Sequence, residues 1–302
     1  KKIIITKNID DLSVINQQIT TYSKLIDKST YRFSKKYFED AENLHYKIKD
    51  YYKANELYEK AIELKPDFEE AINNYAQNMR LNIKDYSKAI VIYSKLIELN
   101  PKYEYAYFRR GICKSALKDY IGYLSDFNED MKYIEVDSST YVSRAIIKIK
   151  LNDFVGIIED CSTAIELNNK NSNAYTYRGQ AKFKLQNYED AIIDFKTSIE
   201  LQIEEIKLRD YNQRFSYTTL LYYGKAKFEL KEYKSALKIF FKCIEQHPNS
   251  YFIYELLAQV YEKLNDNENY KINLDKFNLL NEIHLKRLES DLLRKQNNEN
   301  RE

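Results

Sequence analysis

The sequence predicts an all-α protein, a solenoid of stacked helix–turn–helix hairpins, and three observations carry that prediction. The 302 residues include only 5 glycines and 3 prolines, too few turn residues for a sandwich, a barrel or a doubly wound sheet. An acidic or amide residue followed by an aromatic recurs at near-constant spacing along most of the chain. Apolar residues elsewhere recur at three- and four-residue steps, as in Tyr217–Leu230, which is the pattern of amphipathic helices. A charged content of 31% beside 44% hydrophobic residues suits a folded chain with much exposed surface.

The recurring pair is Asp50-Tyr51, Asp85-Tyr86, Asp119-Tyr120, Asp153-Phe154, Asn187-Tyr188 and Glu232-Tyr233. Measured between the aromatics, the steps are 35, 34, 34, 34 and 45 residues. Three residues after the aromatic stand Ala54, Ala89, Ala191 and Ala236, with Tyr123 and Ile157 in the two middle copies. Nine before it come Gly111, Ala145, Gly179 and Gly224, and Ala76 if one residue is inserted. Pro66, Pro101 and Pro248 fill one slot near the end of their repeats. A proline there cannot continue a helix, so it fixes where each hairpin stops. A lone hairpin cannot bury its apolar faces and must stack on its neighbours.

This pattern resembles the tetratricopeptide repeat, a helix–turn–helix of 34 residues. The resemblance implies a right-handed α-α superhelix and assigns the glycines and alanines above to the family's small-residue slots. It divides the chain into a capping region at 1–34, seven repeats, and a capping helix with a polar tail at 285–302. The repeats fall at 35–68, 69–103, 104–137, 138–171, 172–205, 217–250 and 251–284, with an insertion at 206–216.

The elements follow in order. Residues 10–28 are expected to form a leading helix. In the first repeat Glu42 falls in the small slot, and Ala41 beside it is the alternative occupant. Gly122 and Gly156 each precede a bulky residue and are read as relieving crowding there. The insertion lacks Gly and Pro, so a lengthened helix is expected, turning at Asp210 or Asn212. Gly224 is expected to face Ala236 across the sixth hairpin. The seventh repeat has Asn267 in place of the turn aromatic, as terminal repeats are often atypical. Leu274–Arg294 is expected to form a trailing amphipathic helix, and the tail from Gln296 to fray.

Recognisable catalytic or metal chemistry is missing from the sequence. His45, His247 and His284 lie far apart and outside any zinc motif, so each is read as a surface or helix-end histidine. Cys113, Cys161 and Cys243 fit neither a disulfide framework nor a metal site, and Cys161 and Cys243 occupy packing positions. The scarce glycines leave no room for a phosphate-binding or dinucleotide fingerprint. No enzyme and no cofactor are expected. The 48 Lys and Arg against 46 Asp and Glu give a net charge of +2, which argues against nucleic acid as a general partner. No apolar run reaches the ~18 residues of a membrane span. The cytoplasm is the default compartment, although the chain starts without Met and a trimmed signal stays open.

In the tetratricopeptide family the first helix of each repeat, helix A, lines a concave groove. Carried onto this sequence, its groove positions give Asn74 and Gln77 in repeat two, with Asn73 and Arg80, and Tyr105, Phe108 and Arg109 in repeat three. Repeat five gives Tyr177 and Gln180 with Asn173 and Phe183, and repeat six gives Tyr222, Lys225 and Phe228. Amides can bond an extended backbone, while tyrosine and arginine dominate interface hot spots. Packing between repeats competes as a reading for each tyrosine, because the chain holds 29. Chaperone-binding members clamp an acidic peptide terminus, but here Glu39 and Tyr105 replace the two clamp lysines, so that role is not expected. The expectation is a scaffold that binds an extended or helical segment of another protein. Self-association of a structural solenoid through its ends or its groove, or service as the arm of a larger enzyme or sensor, stays as an alternative.

Overall fold

The computed structural model describes residues 2–209 and 216–299. It is 83% helical, with fourteen α-helices and no strand among the described residues. Contacts divide the chain into two compact units, Lys1–Glu135 and Val136–Glu302. The first contains α1 (Lys2–Glu42), α2 (Tyr51–Leu64), α3 (Glu69–Asn78), α4 (Tyr86–Leu99), α5 (Ala106–Ala116) and α6 (Tyr120–Asp130). The second contains α7 (Ser138–Lys150), α8 (Phe154–Leu167), α9 (Ser172–Lys184), α10 (Tyr188–Arg209), α11 (Tyr217–Glu229), α12 (Tyr233–Gln246), α13 (Tyr251–Lys263) and α14 (Asn267–Glu299). Within each unit, successive helices pair as hairpins and each hairpin packs on the next.

The repeated acid is a helix cap. Asp50, Asp85, Asp119 and Asp153 each accept a hydrogen bond from the backbone N–H three residues on, at 2.8–3.2 Å, which satisfies a donor otherwise orphaned at the helix start. The residue before each cap turns the chain through a left-handed conformation. Lys49, Lys84, Lys118, Asn152, Gln186, Lys231 and Asn265 all have φ between 55° and 65°. Lys49, Lys84, Lys118, Gln186 and Lys231 are not the usual Gly or Asn, so each of those turns carries a local cost of about 1 kcal/mol that the hairpin packing offsets.

The two N-terminal repeats have one residue more between small slot and turn aromatic, and the helix absorbs it. Asn43–Ile48 and Met79–Ile83 are π-helical, with a wider turn that takes up an extra residue. Ala41 is fully buried and Glu42 only half-buried, so Ala41 holds the small slot.

One packing expectation needs correction. A β-carbon on Gly224 would stand 2.5 Å from Cε1 of Phe240, not against Ala236, and the same ring–glycine contact joins Gly179 to Phe195 and Gly111 to Tyr123. The helices approach closely because a ring, rather than a methyl group, fills the missing side chain's place. Gly122 and Gly156 leave room for the helix cap. A β-carbon there would collide with the capping carboxylate of Asp119 or Asp153 and with the stem or ammonium of Lys114 or Lys148.

At the ends, short helices merge into long ones. The leading helix and helix A of the first repeat are one continuous α1 of 41 residues. The second helix of the seventh repeat runs on through the trailing segment as α14, past Gln296 to Glu299. α10 continues into the insertion as far as Arg209, and Ser216 N–H returns to Gln202 Oε1 at 2.9 Å. The turn expected at Asp210 or Asn212 lies outside the described residues. No helix among the described residues is long and apolar enough to cross a membrane.

Candidate functional site

In the first unit the A helices carry a polar row from α1 to α5. Glu42 Oε1 accepts from Asn74 Nδ2 at 3.2 Å, Asn74 Oδ1 from Asn73 Nδ2 at 3.3 Å, and Asn73 Oδ1 from Arg109 Nη1 at 3.0 Å. The Arg109 guanidinium lies 5.8 Å from the ring centre of Tyr105, which is 42% exposed. Arg109 and the half-buried Arg80 both bear on the phenol of Tyr93. Burial pushes that phenol up to about 12, and the two arginines pull the other way. Neither arginine has a carboxylate at ion-pairing distance among the described residues. Gln77 is half-buried one turn on from Asn74. Phe108 points elsewhere: its ring meets Tyr123 and Phe127 at 6.5 and 6.0 Å, and its N–H donates to the buried Asp130.

The second unit presents a more aromatic A-helix face. Tyr222 packs edge-on to Phe183 at 5.4 Å and lies 6.4 Å from Phe195. Lys225 Nζ sits 5.8 Å from the Tyr222 ring centre and 4.5 Å from that of Phe252. Phe228 leans on Tyr233 at 5.6 Å, and Tyr177 packs on the core shared by α7, α8 and α9. Gln180 is half-buried, with Nε2 enclosed and without a hydrogen-bond partner among the described residues. The sequence-derived residues therefore form two groups, one in each unit. Several aromatic members are partly committed to packing.

A second motif repeats along the chain. Arg110, Arg144 and Arg178 recur at 34-residue steps, each three after a tyrosine and four before a lysine. Each clasps a buried aspartate on the paired helix through Nε and Nη2, at 2.5–3.1 Å: Arg110 with Asp126, Arg144 with Asp160, Arg178 with Asp194. Lys114, Lys148 and Lys182 add a second cation to the same carboxylates at 2.7–2.9 Å. Tyr107, Tyr141 and Tyr175 stack on the guanidiniums at 5.2–5.6 Å. Spacing alone was the available signal, and these groups hold hairpins together rather than reach for a ligand.

The isolated histidine and cysteine readings also resolve. His45 stands at a helix end but is buried, with Nε2 3.0 Å from Asn82 Nδ2 and Nδ1 3.2 Å from the Tyr58 hydroxyl. Burial lowers its pKa. His247 meets the Tyr217 ring at 4.7 Å and His284 the Tyr251 ring at 5.2 Å. All three cysteines are buried and free. Burial raises Cys113 to about 11 and Cys161 and Cys243 to about 12, which keeps them protonated thiols at neutral pH.

Stacked hairpins with small–aromatic contacts and capped αL turns define a helical repeat protein. One tetratricopeptide repeat model matches residues 218–250, and another matches 43–68 and 172–202. These segments of the chain are therefore tetratricopeptide repeats, and the fold around them is that of a tetratricopeptide solenoid. The chain's fold is similar to that of a tetratricopeptide repeat protein from Parabacteroides merdae, at 15% identity and a TM-score of 0.56 over 82% of this chain and 93% of that one. It is also similar to the C-terminal part of a repeat protein from Cytophaga hutchinsonii, at 21% identity and a TM-score of 0.54 over 68% and 78% of the two chains. YrrB, described as a TPR protein with an unusual peptide-binding site, aligns at 16% identity and a TM-score of 0.51, over 66% of this chain and 96% of its own. No curated protein sequence matches the chain significantly.

Proposed function

We propose that this protein is a non-catalytic scaffold whose A-helix faces hold an extended or helical segment of another protein. The observation that carries the reading is the row from Glu42 through Asn74 and Asn73 to Arg109. It fixes amide groups and a guanidinium on successive A helices, with no carboxylate at ion-pairing distance of the arginine among the described residues. Amides of this kind can exchange bonds with a peptide backbone, and arginine with tyrosine is a common interface anchor. Tyr105 and Gln77 extend the face in the first unit; Tyr177, Gln180, Tyr222, Lys225 and Phe228 form the corresponding face of the second. The peptide-binding site ascribed to YrrB is in keeping with this use of the fold. Three buried, unpaired thiols suit a reducing compartment, so we read the location as the cytoplasm.

Arg109→Glu tests the reading. It should abolish capture of the natural partner while leaving helix content intact, because the guanidinium is only half-buried. Normal capture by this variant would refute the first-unit face. A second reading, self-association, rests on Leu285, Leu288 and Leu292, which stand exposed along α14 at three- and four-residue steps. A dimer in light scattering that truncation after Asn273 abolishes would favour it.

A further inference from the structure

Four lysines are half-buried among the described residues of the second unit: Lys148, Lys182, Lys225 and Lys227. Three of them are neutralised. Lys148 meets Asp160 at 2.9 Å, Lys182 meets Asp194 at 2.7 Å, and Lys227 meets Glu232 at 2.7 Å. Lys225 is different, because its ammonium rests between the rings of Phe252 and Tyr222 with no carboxylate at ion-pairing distance among the described residues. Glu255 and Glu229 act on it only at longer range, while Lys184 repels it.

That setting suits one kind of ligand. Aromatic faces hold a cation but do not neutralise it. A half-buried ammonium with a like charge nearby gains most from an incoming carboxylate, because a charge-assisted hydrogen bond is stronger where water is partly excluded. The two rings beside it offer an apolar surface to the neighbouring ligand residue. We propose that Lys225, with Lys184, selects an Asp or Glu side chain in the bound segment of the partner protein, next to an apolar residue that packs on Phe252 and Tyr222. This specificity rests on the peptide-binding reading above and adds the chemistry of the segment to it.

The test is selection from a random 12-residue peptide display library on the immobilised chain. Peptides selected by the wild type should be enriched in Asp or Glu beside an apolar residue. Lys225→Met, whose unbranched side chain can still lie between the rings, should lose that enrichment, and Lys225→Arg should keep it. The best acidic peptide should bind Lys225→Met about tenfold or more weakly, as for loss of a charged hydrogen bond. Lys184→Gln, at an exposed position that packing does not constrain, should lower the acidic preference without changing the melting curve, so the proposal stays testable if Lys225→Met folds poorly. Peptides enriched without acidic residues, or selected equally by both variants, would overturn the specificity and leave the scaffold reading standing. Failure to enrich any peptide would overturn both. A labelled single-stranded oligonucleotide bound by the wild type and lost in Lys225→Met would assign the site to phosphate and overturn the proposal.

Discussion

The ring of Phe240 occupies the space that a side chain on Gly224 would need, with Cε1 2.5 Å from the ideal β-carbon position. Phe240 is fully buried and cannot swing to solvent without opening the hairpin of α11 and α12. Gly224→Leu should therefore destabilise the second unit by about 1–3 kcal/mol through overpacking. Hydrogen exchange should show the loss first in α11–α13, with α3 and α4 still protected. Phe240→Ala in the same chain should recover part of the damage. Uniform loss of protection would mean a single cooperative core.

The Arg178–Asp194 clasp gives a sharper energetic test. Asp194 is 2% exposed and receives both Arg178 and Lys182. Asp194→Asn should cost on the order of 3 kcal/mol, because it leaves two partly buried cations without their counter-charge. Combining it with Arg178→Met should cost less than the sum of the single changes. Additive effects in urea denaturation would show that the clasp contributes little.

His45 predicts a pH dependence in the first unit. Its folded pKa lies below the ordinary histidine value of 6.5 because burial disfavours the charged ring. As pH falls through 6.5 the unfolded chain takes up a proton that the folded chain resists, so stability drops. Above that range both states are neutral and the effect vanishes. His45→Gln should flatten the profile between pH 7.5 and 5. Parallel profiles for the two proteins would remove His45 as the source.

Tyr222 separates packing from binding. Its ring sits against Phe183 and Phe195, so Tyr222→Ala should cost about 2 kcal/mol or more from lost aromatic packing. Tyr222→Phe should melt like the wild type. A melting curve unchanged in Tyr222→Ala would show that the ring contributes nothing to the core.

The hairpins were legible because turn aromatics and small residues must recur wherever one hairpin stacks on the next. Gly111, Gly179 and Gly224 marked the small slots correctly. Their true partners were not legible: spacing puts both Ala236 and Phe240 on the inward face of α12, and only side-chain reach decides that the ring arrives. The extra residue near Ala41 and Ala76 was visible as a defect of register, but period alone does not reveal that a π-helical turn absorbs it. The candidate faces were readable only as positions. Whether Phe108 turns toward α6, or Lys225 finds rings instead of a carboxylate, depends on neighbours on adjacent repeats that no local pattern specifies.

A partner held along the A helices should be within reach of site-specific photocrosslinking. A benzoylphenylalanine replacing Tyr105, exposed beside Arg109, is predicted to crosslink a segment of another protein in the native extract. The same probe at Ile121 or Val155, exposed on the second helices α6 and α8, is predicted to give no such product. Crosslinks from Ile121 and Val155 but not from Tyr105, or products containing only a second copy of this chain, would rule out a partner protein on the A helices.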